Sequence, residues 1–222
     1  MHKTGDVTVQ ARQIEERLSA ELEAYGHPVT VITAEQIEEG GYNDIHQILN
    51  ALVPGLYIHS FAAGPGDYGR IQLHGREEVL ILLDGVRITN RLYSTSYIDI
   101  ISPNTIDRIE VLYGGEGLFY GTEAASGVIN IITKPVTKKL SMEFGAAYGQ
   151  YQHRDLHAHV SETIDGHGFM VFGSNDAWEG YQPYSNETLE RFGNTRRETR
   201  AYNRTNLGVK YRREFDIAGR GL

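Results

Sequence analysis

Ile106-Asp107-Arg108-Ile109-Glu110-Val111-Leu112-Tyr113-Gly114 and, further on, Gly127-Val128-Ile129-Asn130-Ile131-Ile132-Thr133-Lys134 are the stretches on which the fold turns. Both are rich in β-branched side chains and bounded by glycine, which is the composition of short buried strands rather than of helices. Between them lies Gly115-Glu116-Gly117, which after an apolar strand has the look of a phosphate-cradling loop. That chemistry needs a helix at once, so that its N-terminus can hold the anion. Here Ala124-Ala125 allows a single helical turn before the second strand begins, which argues against nucleotide binding.

Upstream, the chain supplies elements to pack against these strands. Residues 10–25 are polar and helix-permissive with a weak apolar face (Ile14, Leu18, Leu22), and Gly26-His27-Pro28 stops them. Residues 29–32 spell a short strand. Thr33-Ala34-Glu35-Gln36 has the spacing of a capping box and predicts a helix that stops at Gly40-Gly41. A second helix over residues 44–52 places Ile45, Ile48, Leu49 and Leu52 on one face before Pro54-Gly55 breaks it. Further short strands are predicted at 56–59, 71–74 and 79–83. Residues up to Lys134 therefore predict a small α+β domain, a mixed sheet with short helices.

Downstream of Pro135 the texture changes. Leu140, Met142, Phe144, Ala146 and Tyr148 alternate with small or polar residues. So do Leu156, Ala158 and Val160 with Asp155, His157, His159 and Ser161, and Leu207, Val209, Tyr211 and Phe215 with Gly208, Lys210, Arg212 and Glu214. Two-faced segments of about ten residues are the signature of antiparallel strands in a transmembrane β-barrel, although a soluble sandwich shows the same alternation. The connections favour the membrane: Asp165-Gly166 is a tight hairpin signal, whereas residues 179–203 form a long connection rich in Tyr, Asn and Arg. About four strands fit after Pro135, and the smallest bacterial barrel takes about eight, so the barrel is expected to be incomplete.

Composition excludes several classes. With 21 basic against 29 acidic side chains the net charge is -8, so a nucleic-acid partner is disfavoured. Cysteine is absent, which removes disulfides and thiolate metal sites. The longest strongly apolar run, 79–83, is far short of the roughly 20 residues of a membrane-spanning helix. The opening Met1-His2-Lys3-Thr4-Gly5-Asp6 lacks a secretion signal, so export implies a mature or recombinant form. The 25 glycines and 14 tyrosines fit turns and amphipathic strand surfaces.

Taken in order, Val29-Thr30-Val31-Ile32-Thr33-Ala34-Glu35-Gln36-Ile37, Ile48-Leu49, Val53-Pro54-Gly55-Leu56, Ile71-Gln72-Leu73-His74-Gly75, Leu82-Leu83-Asp84-Gly85-Val86 and the two opening stretches resemble the plug domain of TonB-dependent outer-membrane receptors. Leu118-Phe119-Tyr120-Gly121 belongs to the same match. The resemblance implies three parts: a periplasmic lead-in over residues 1–28, the plug over 29–135, and the first barrel strands over 136–222. It departs from the family at two places. His74 stands where the family usually has Arg, and Tyr113-Gly114-Gly115 stands for Arg-Gly-Pro. The family's two plug arginines pair with glutamates on the barrel wall, so the candidate plug–barrel contacts here are Arg70, His74, Arg76, Arg108, Glu110 and Tyr113.

Asp6, Val7, Thr8, Val9, Gln10 and Ala11 look like a TonB box, an extended segment captured by strand addition to the periplasmic energy-coupling protein TonB. Ligand contacts in the family come from outward plug and barrel loops, which makes Phe61, Tyr68, Arg91, Tyr93 and Tyr97 the candidates, offering stacking and cation–π surfaces to a bulky chelate. His153, His157 and His159 lack a fixed set of supporting carboxylates and are taken as polar residues of the lumen, not a metal site. No catalytic residue and no cofactor is assigned, because no nucleophile–base pair sits in the right flanking structure. The resemblance thus implies a receptor that imports a ferric siderophore, with cobalamin, other metal chelates or oligosaccharides as further substrate classes. A small-molecule chelate, TonB and outer-membrane lipid are its expected partners. A stand-alone periplasmic binding module stays open as the alternative.

Overall fold

Val29-Thr30-Val31-Ile32-Thr33 is β-branched at every position and so prefers a pleated surface; in the computed structural model it forms β1 (Val29–Thr33). The structure describes residues 29–42, 44–59, 70–77, 79–88, 98, 101–114, 124, 126–180, 186–191 and 201–213. The capping box forms as the sequence predicts: Thr33 Oγ1 accepts from the Gln36 amide at 3.4 Å and Gln36 Oε1 accepts from the Thr33 amide at 3.0 Å. It starts α1 (Ala34–Gly40). Asp44 caps α2 (Ile45–Leu52) by accepting from the Gln47 amide at 2.9 Å, and that helix buries Ile45, Ile48 and Leu49. Val53 is extended ahead of Pro54, where a helix cannot continue.

The strands β2 (Leu56–His59) and β3 (Arg70–Leu73) pair antiparallel as a small ribbon. The sequence places His74 inside the second of these strands. Instead His74 turns the chain at φ 51, with its amide donating to the Gly55 carbonyl at 2.8 Å. The main sheet comprises β1, β4 (Val79–Leu83), β5 (Val86–Arg87), β6 (Ile106–Tyr113) and β7 (Gly127–Thr133), in the order β1-β6-β7-β4-β5. Among the described pairings of this sheet, β4 with β7 is parallel and the others are antiparallel. Both faces are covered. The larger core joins Ile32, Ile48, Leu49, Ile81, Ile109 and Ile129 under the helices, and Leu80, Leu82, Leu112, Ala124 and Val128 pack on the other side.

A second sheet follows, built from β8 (Ser141–Tyr148), β9 (Arg154–Ile164), β10 (His167–Trp178) and β11 (Tyr202–Arg213) as an antiparallel meander. Asp165 at φ 51 and Gly166 at φ 77 join β9 to β10 in the two-residue turn whose backbone twist matches the strands. The connection from β10 to β11 is long, with a short helix α3 (Asn186–Arg191) within it. Among the described residues this sheet is open, with β8 and β11 at its edges.

The faces of the second sheet are inverted relative to a water-soluble protein. Met142, Val160, Val171 and Val209 lie in one row across the strands and all are exposed, as are Phe144, Leu156, Phe169, Leu207 and Tyr211. Leu207 is 84% exposed and Phe144 76%. The opposite face is polar and lies against the first domain. Apolar outside and polar inside is what a strand wall needs when its solvent is lipid.

Candidate functional site

Period-two alternation sends every second side chain of the wall inward, and the register collects these into rows. Ala147, Asp155, Asp176 and Arg204 form one row, Gly145, His157, Ser174 and Asn206 the next, and Glu143, His159, Phe172 and Gly208 the third. A fourth row holds Ser141, Ser161, Met170 and Lys210. The seam between these rows and the first domain is the candidate site.

In the first row Asp176 is the hub. Its Oδ1 lies 2.9 Å from His153 Nε2 and accepts from the Tyr202 hydroxyl at 3.1 Å, while Oδ2 accepts from Arg204 at 2.5 Å. The Arg204 guanidinium also sits 4.7 Å over the Tyr202 ring. Asp155 Oδ1 contacts His157 Nδ1 at 2.9 Å and accepts from Asn104 Nδ2 at 3.2 Å, a bond that crosses the seam. Here the wall stands off from α1 and the 3-10 turn Pro103–Thr105, leaving a cleft of about 740 Å³ lined by Glu38, Tyr42, Asn104, His153, Asp155 and Asp176 among others. The charged side chains Asp155, His157, Asp176 and Arg204 facing the cleft are paired and so preorganised, and they stand among apolar ones such as Ile37, Tyr42 and Ile101.

Lower down, the seam closes. Lys134, just after β7, donates to both carboxylate oxygens of Glu143 at 3.0 and 2.9 Å. Lys210 reaches in from β11 to Asp84 Oδ2 at 3.2 Å, to the Lys134 carbonyl at 3.1 Å and to Thr133 Oγ1. Thr137 donates its amide to Ser161 Oγ at 2.9 Å, and its carbonyl accepts from Thr163 at 2.8 Å.

Asp6, Val7, Thr8, Val9, Gln10 and Ala11 lie outside the described residues, as do Phe61, Tyr68, Arg91, Tyr93 and Tyr97. The six candidate plug–barrel residues are all described. Arg70 pairs with Glu77 at 3.4 Å. The His74 ring lies 5.5 Å from that of Tyr113 and over Gly55, where a Cβ would fall 2.5 Å from the imidazole and have to displace it, and where the backbone at φ 73 itself favours glycine. Arg76 exchanges backbone bonds with Leu73 across the turn, at 2.9 and 3.1 Å. The Tyr113 hydroxyl bonds Thr30 Oγ1 at 3.0 Å.

Arg108 bonds Glu110 at 2.7 Å and Asp107 at 2.9 Å on its own strand. Partial burial opposes the Arg108 cation, yet the bonds and fields of these two carboxylates outweigh it and raise the guanidinium pKa. Glu110 is 3% exposed, and this ion pair satisfies it. The polar bonds described across the seam run from Asp84, Asn104, Thr133 and Lys134, residues to which the sequence pattern assigns no role. The available signal was Lys210, a cation at an inward position of an alternating strand. His153 and His157 are engaged by Asp176 and Asp155, and among the described residues no group of three His, Asp or Glu side chains is arranged to hold a metal ion.

Residues 21–128 match the family described as TonB-dependent Receptor Plug Domain. The ferric aerobactin receptor of Klebsiella pneumoniae is 31% identical over 189 residues, covering 84% of this chain and 24% of that protein. The vitamin B12 transporter BtuB of Vibrio vulnificus (strain YJ016) is 31% identical over 157 residues, 69% of this chain and 25% of the transporter. Among solved structures, the siderophore receptor PirA from Pseudomonas aeruginosa superposes with a TM-score of 0.60 at 23% identity, covering 85% of this chain and 31% of that one. The ferric yersiniabactin uptake receptor FyuA from Yersinia pestis gives 0.60 at 23%, over 71% and 25%. At that identity the structures bear on the fold alone. The chain spans about a quarter of the length of these curated relatives.

Proposed function

Because the chain belongs to the TonB-dependent receptors and carries their plug domain, we propose that it serves the active uptake of a scarce chelate, a ferric siderophore, across the bacterial outer membrane. The observation that carries this reading is the inverted wall: exposed Met142, Phe144, Val171, Leu207 and Val209 outward, and Glu143, Asp155, His157, Asp176 and Arg204 inward against the plug. A soluble binding module has no use for an oily exterior of this extent, whereas lipid requires it. In this reading the chain divides at Pro135 into plug and wall, and residues 1–28 form the lead-in. Asp6, Val7, Thr8, Val9, Gln10 and Ala11 add as a strand to TonB. Phe61, Tyr68, Arg91, Tyr93 and Tyr97 hold the chelate by stacking, cation–π and hydrogen bonds. No covalent chemistry is involved.

The ferric siderophore is supported by likeness to the ferric aerobactin receptor, 31% identical over 84% of this chain, against 27% over 96% for the Vibrio vulnificus strain CMCP6 transporter and 31% over 69% for that of strain YJ016. That vitamin B12 transporter, at equal identity, favours cobalamin as the second reading. The test measures ferric aerobactin and cobalamin uptake in cells expressing the gene, with and without Val7→Pro. Proline removes a backbone donor from the TonB-box segment and should abolish uptake of the true ligand while leaving surface binding intact. Uptake that is indifferent to Val7→Pro would overturn the coupling, and failure to bind either compound would overturn the ligand class.

A further inference from the structure

The two arginines expected to fasten a plug of this family are replaced here, and the lower seam holds a different fastening of opposite polarity. Lys210 belongs to the wall, and its ammonium enters a socket made by the plug: Asp84 Oδ2 at 3.2 Å, the Lys134 carbonyl at 3.1 Å, the Thr133 carbonyl at 3.4 Å and the Thr133 hydroxyl. An ammonium is only a donor, so Thr133 Oγ1 accepts from Lys210 and uses its own hydrogen to donate to Asp84 Oδ2 at 2.6 Å. The other carboxylate oxygen, Oδ1, accepts from the Thr133 amide at 2.8 Å. Asp84 therefore ties the β4–β5 turn to the end of β7 and at the same time presents a charge to the wall. The left-handed backbone of Asp84, φ 48, aims its carboxylate across the turn.

One residue on, Lys134 points the other way, from plug to wall, and bonds both oxygens of Glu143, with Glu38 of α1 at 3.8 Å. Glu143 is on β8 and Lys210 on β11, the two edges of the wall, separated by three strand spacings or about 14 Å. Two adjacent plug residues are thus clasped to both edges of the described wall. The ammoniums are the less exposed partners, Lys134 at 16% and Lys210 at 27%, while Glu143 and Asp84 are 40% and 39% exposed, so these are charge-assisted bonds made at a half-buried rim.

We propose that Lys210 in the Asp84–Thr133 socket, together with Lys134 on Glu143, is the latch that holds the plug against the wall. Separating Lys210 from Asp84 is then a condition for the end of β7 to leave its seat. The meaning of that release rests on the receptor reading above; the latch itself does not.

The test is hydrogen exchange on the full chain in detergent micelles, following the amides of residues 79–88 and 127–134. Lys210→Met should speed exchange there roughly tenfold or more while the β9–β10 amides keep their protection. Since a wall variant can misfold, Thr133→Val gives the same reading from the plug side: it keeps a β-branched strand residue and removes the hydroxyl joining Asp84 to Lys210. The double variant Lys210→Met with Asp84→Asn should be no faster than the faster single variant. Unchanged exchange in both Lys210→Met and Thr133→Val, or effects that multiply in the double variant, overturns the latch. Loss of uptake by the wild-type receptor with the exchange pattern intact would instead count against the function and leave the latch standing.

Discussion

Replacing Leu207 by arginine separates a lipid-facing wall from a water-facing one. Leu207 is the sixth of the 12 residues of β11 and is 84% exposed; Val209, two residues along on the same face, is 70% exposed, and Phe144, in the same row on the far edge strand β8, is 76% exposed. At about 3.3 Å per residue and a tilt near 40°, β11 spans about 30 Å along the normal, which puts Leu207 close to the middle of an apolar band about 25 Å tall. Arginine at that depth costs about 2–4 kcal/mol, and the lost leucine transfer adds about 2 kcal/mol. If the same face met water, the exchange would stay within about 0.5 kcal/mol, as surface substitutions do. The assay is guanidinium unfolding of the gene product folded into lipid vesicles, with Asn206→Arg, one residue along and facing the lumen, as the comparison. A Leu207→Arg midpoint equal to that of Asn206→Arg would refute the assignment of faces and the membrane reading with it.

The elements that were legible in the sequence are those whose determinants are local. Thr33 with Gln36, and Ile45 with Ile48 and Leu49, fix α1 and α2 within a few residues, and the structure places both where that chemistry demands. The wall strands β8, β9 and β11 alternate cleanly, because only one face of each is oily. β10 is harder to see. Phe169-Met170-Val171-Phe172 is an unbroken apolar run, since Met170 is buried on the inner face and Phe172 lies over Gly208, while Phe169 and Val171 face outward. The parallel pairing of β4 with β7 joins Val79 to Gly127 across a gap that no local pattern reports. His74 leaves its strand because its amide is committed to Gly55 and its ring to Tyr113, both contacts made by tertiary structure. The latch was hidden for the same reason. Asp84 sits in a recognisable hairpin, but its partners Thr133 and Lys210 arrive from two other strands, and spacing alone cannot say that they meet.

Thr33→Ala should remove both the cap of α1 and the hydroxyl that bonds Glu35, lowering stability by about 1 kcal/mol in chemical unfolding; a change below a few tenths would show the box to be dispensable. The Thr33 hydrogen bond holds the Glu35 carboxylate below its ordinary pKa, so its small stabilisation is present above pH about 4.3 and is lost as pH falls through the lowered value. A wild-type advantage over Thr33→Ala that grew on acidification would contradict that sign. A protein ending at Pro135 should stay soluble and unfold cooperatively by circular dichroism. The larger core, from Ile32 to Ile131, draws none of its buried members from the wall, whereas the bonds lost with the wall, from Asn104, Lys134 and Lys210, lie at the partly exposed rim. Their removal therefore exposes polar groups to water, which can satisfy them, and opens no cavity in the core. Non-cooperative melting of that protein would mean that the wall completes the plug's core, and the division at Pro135 would have to be abandoned.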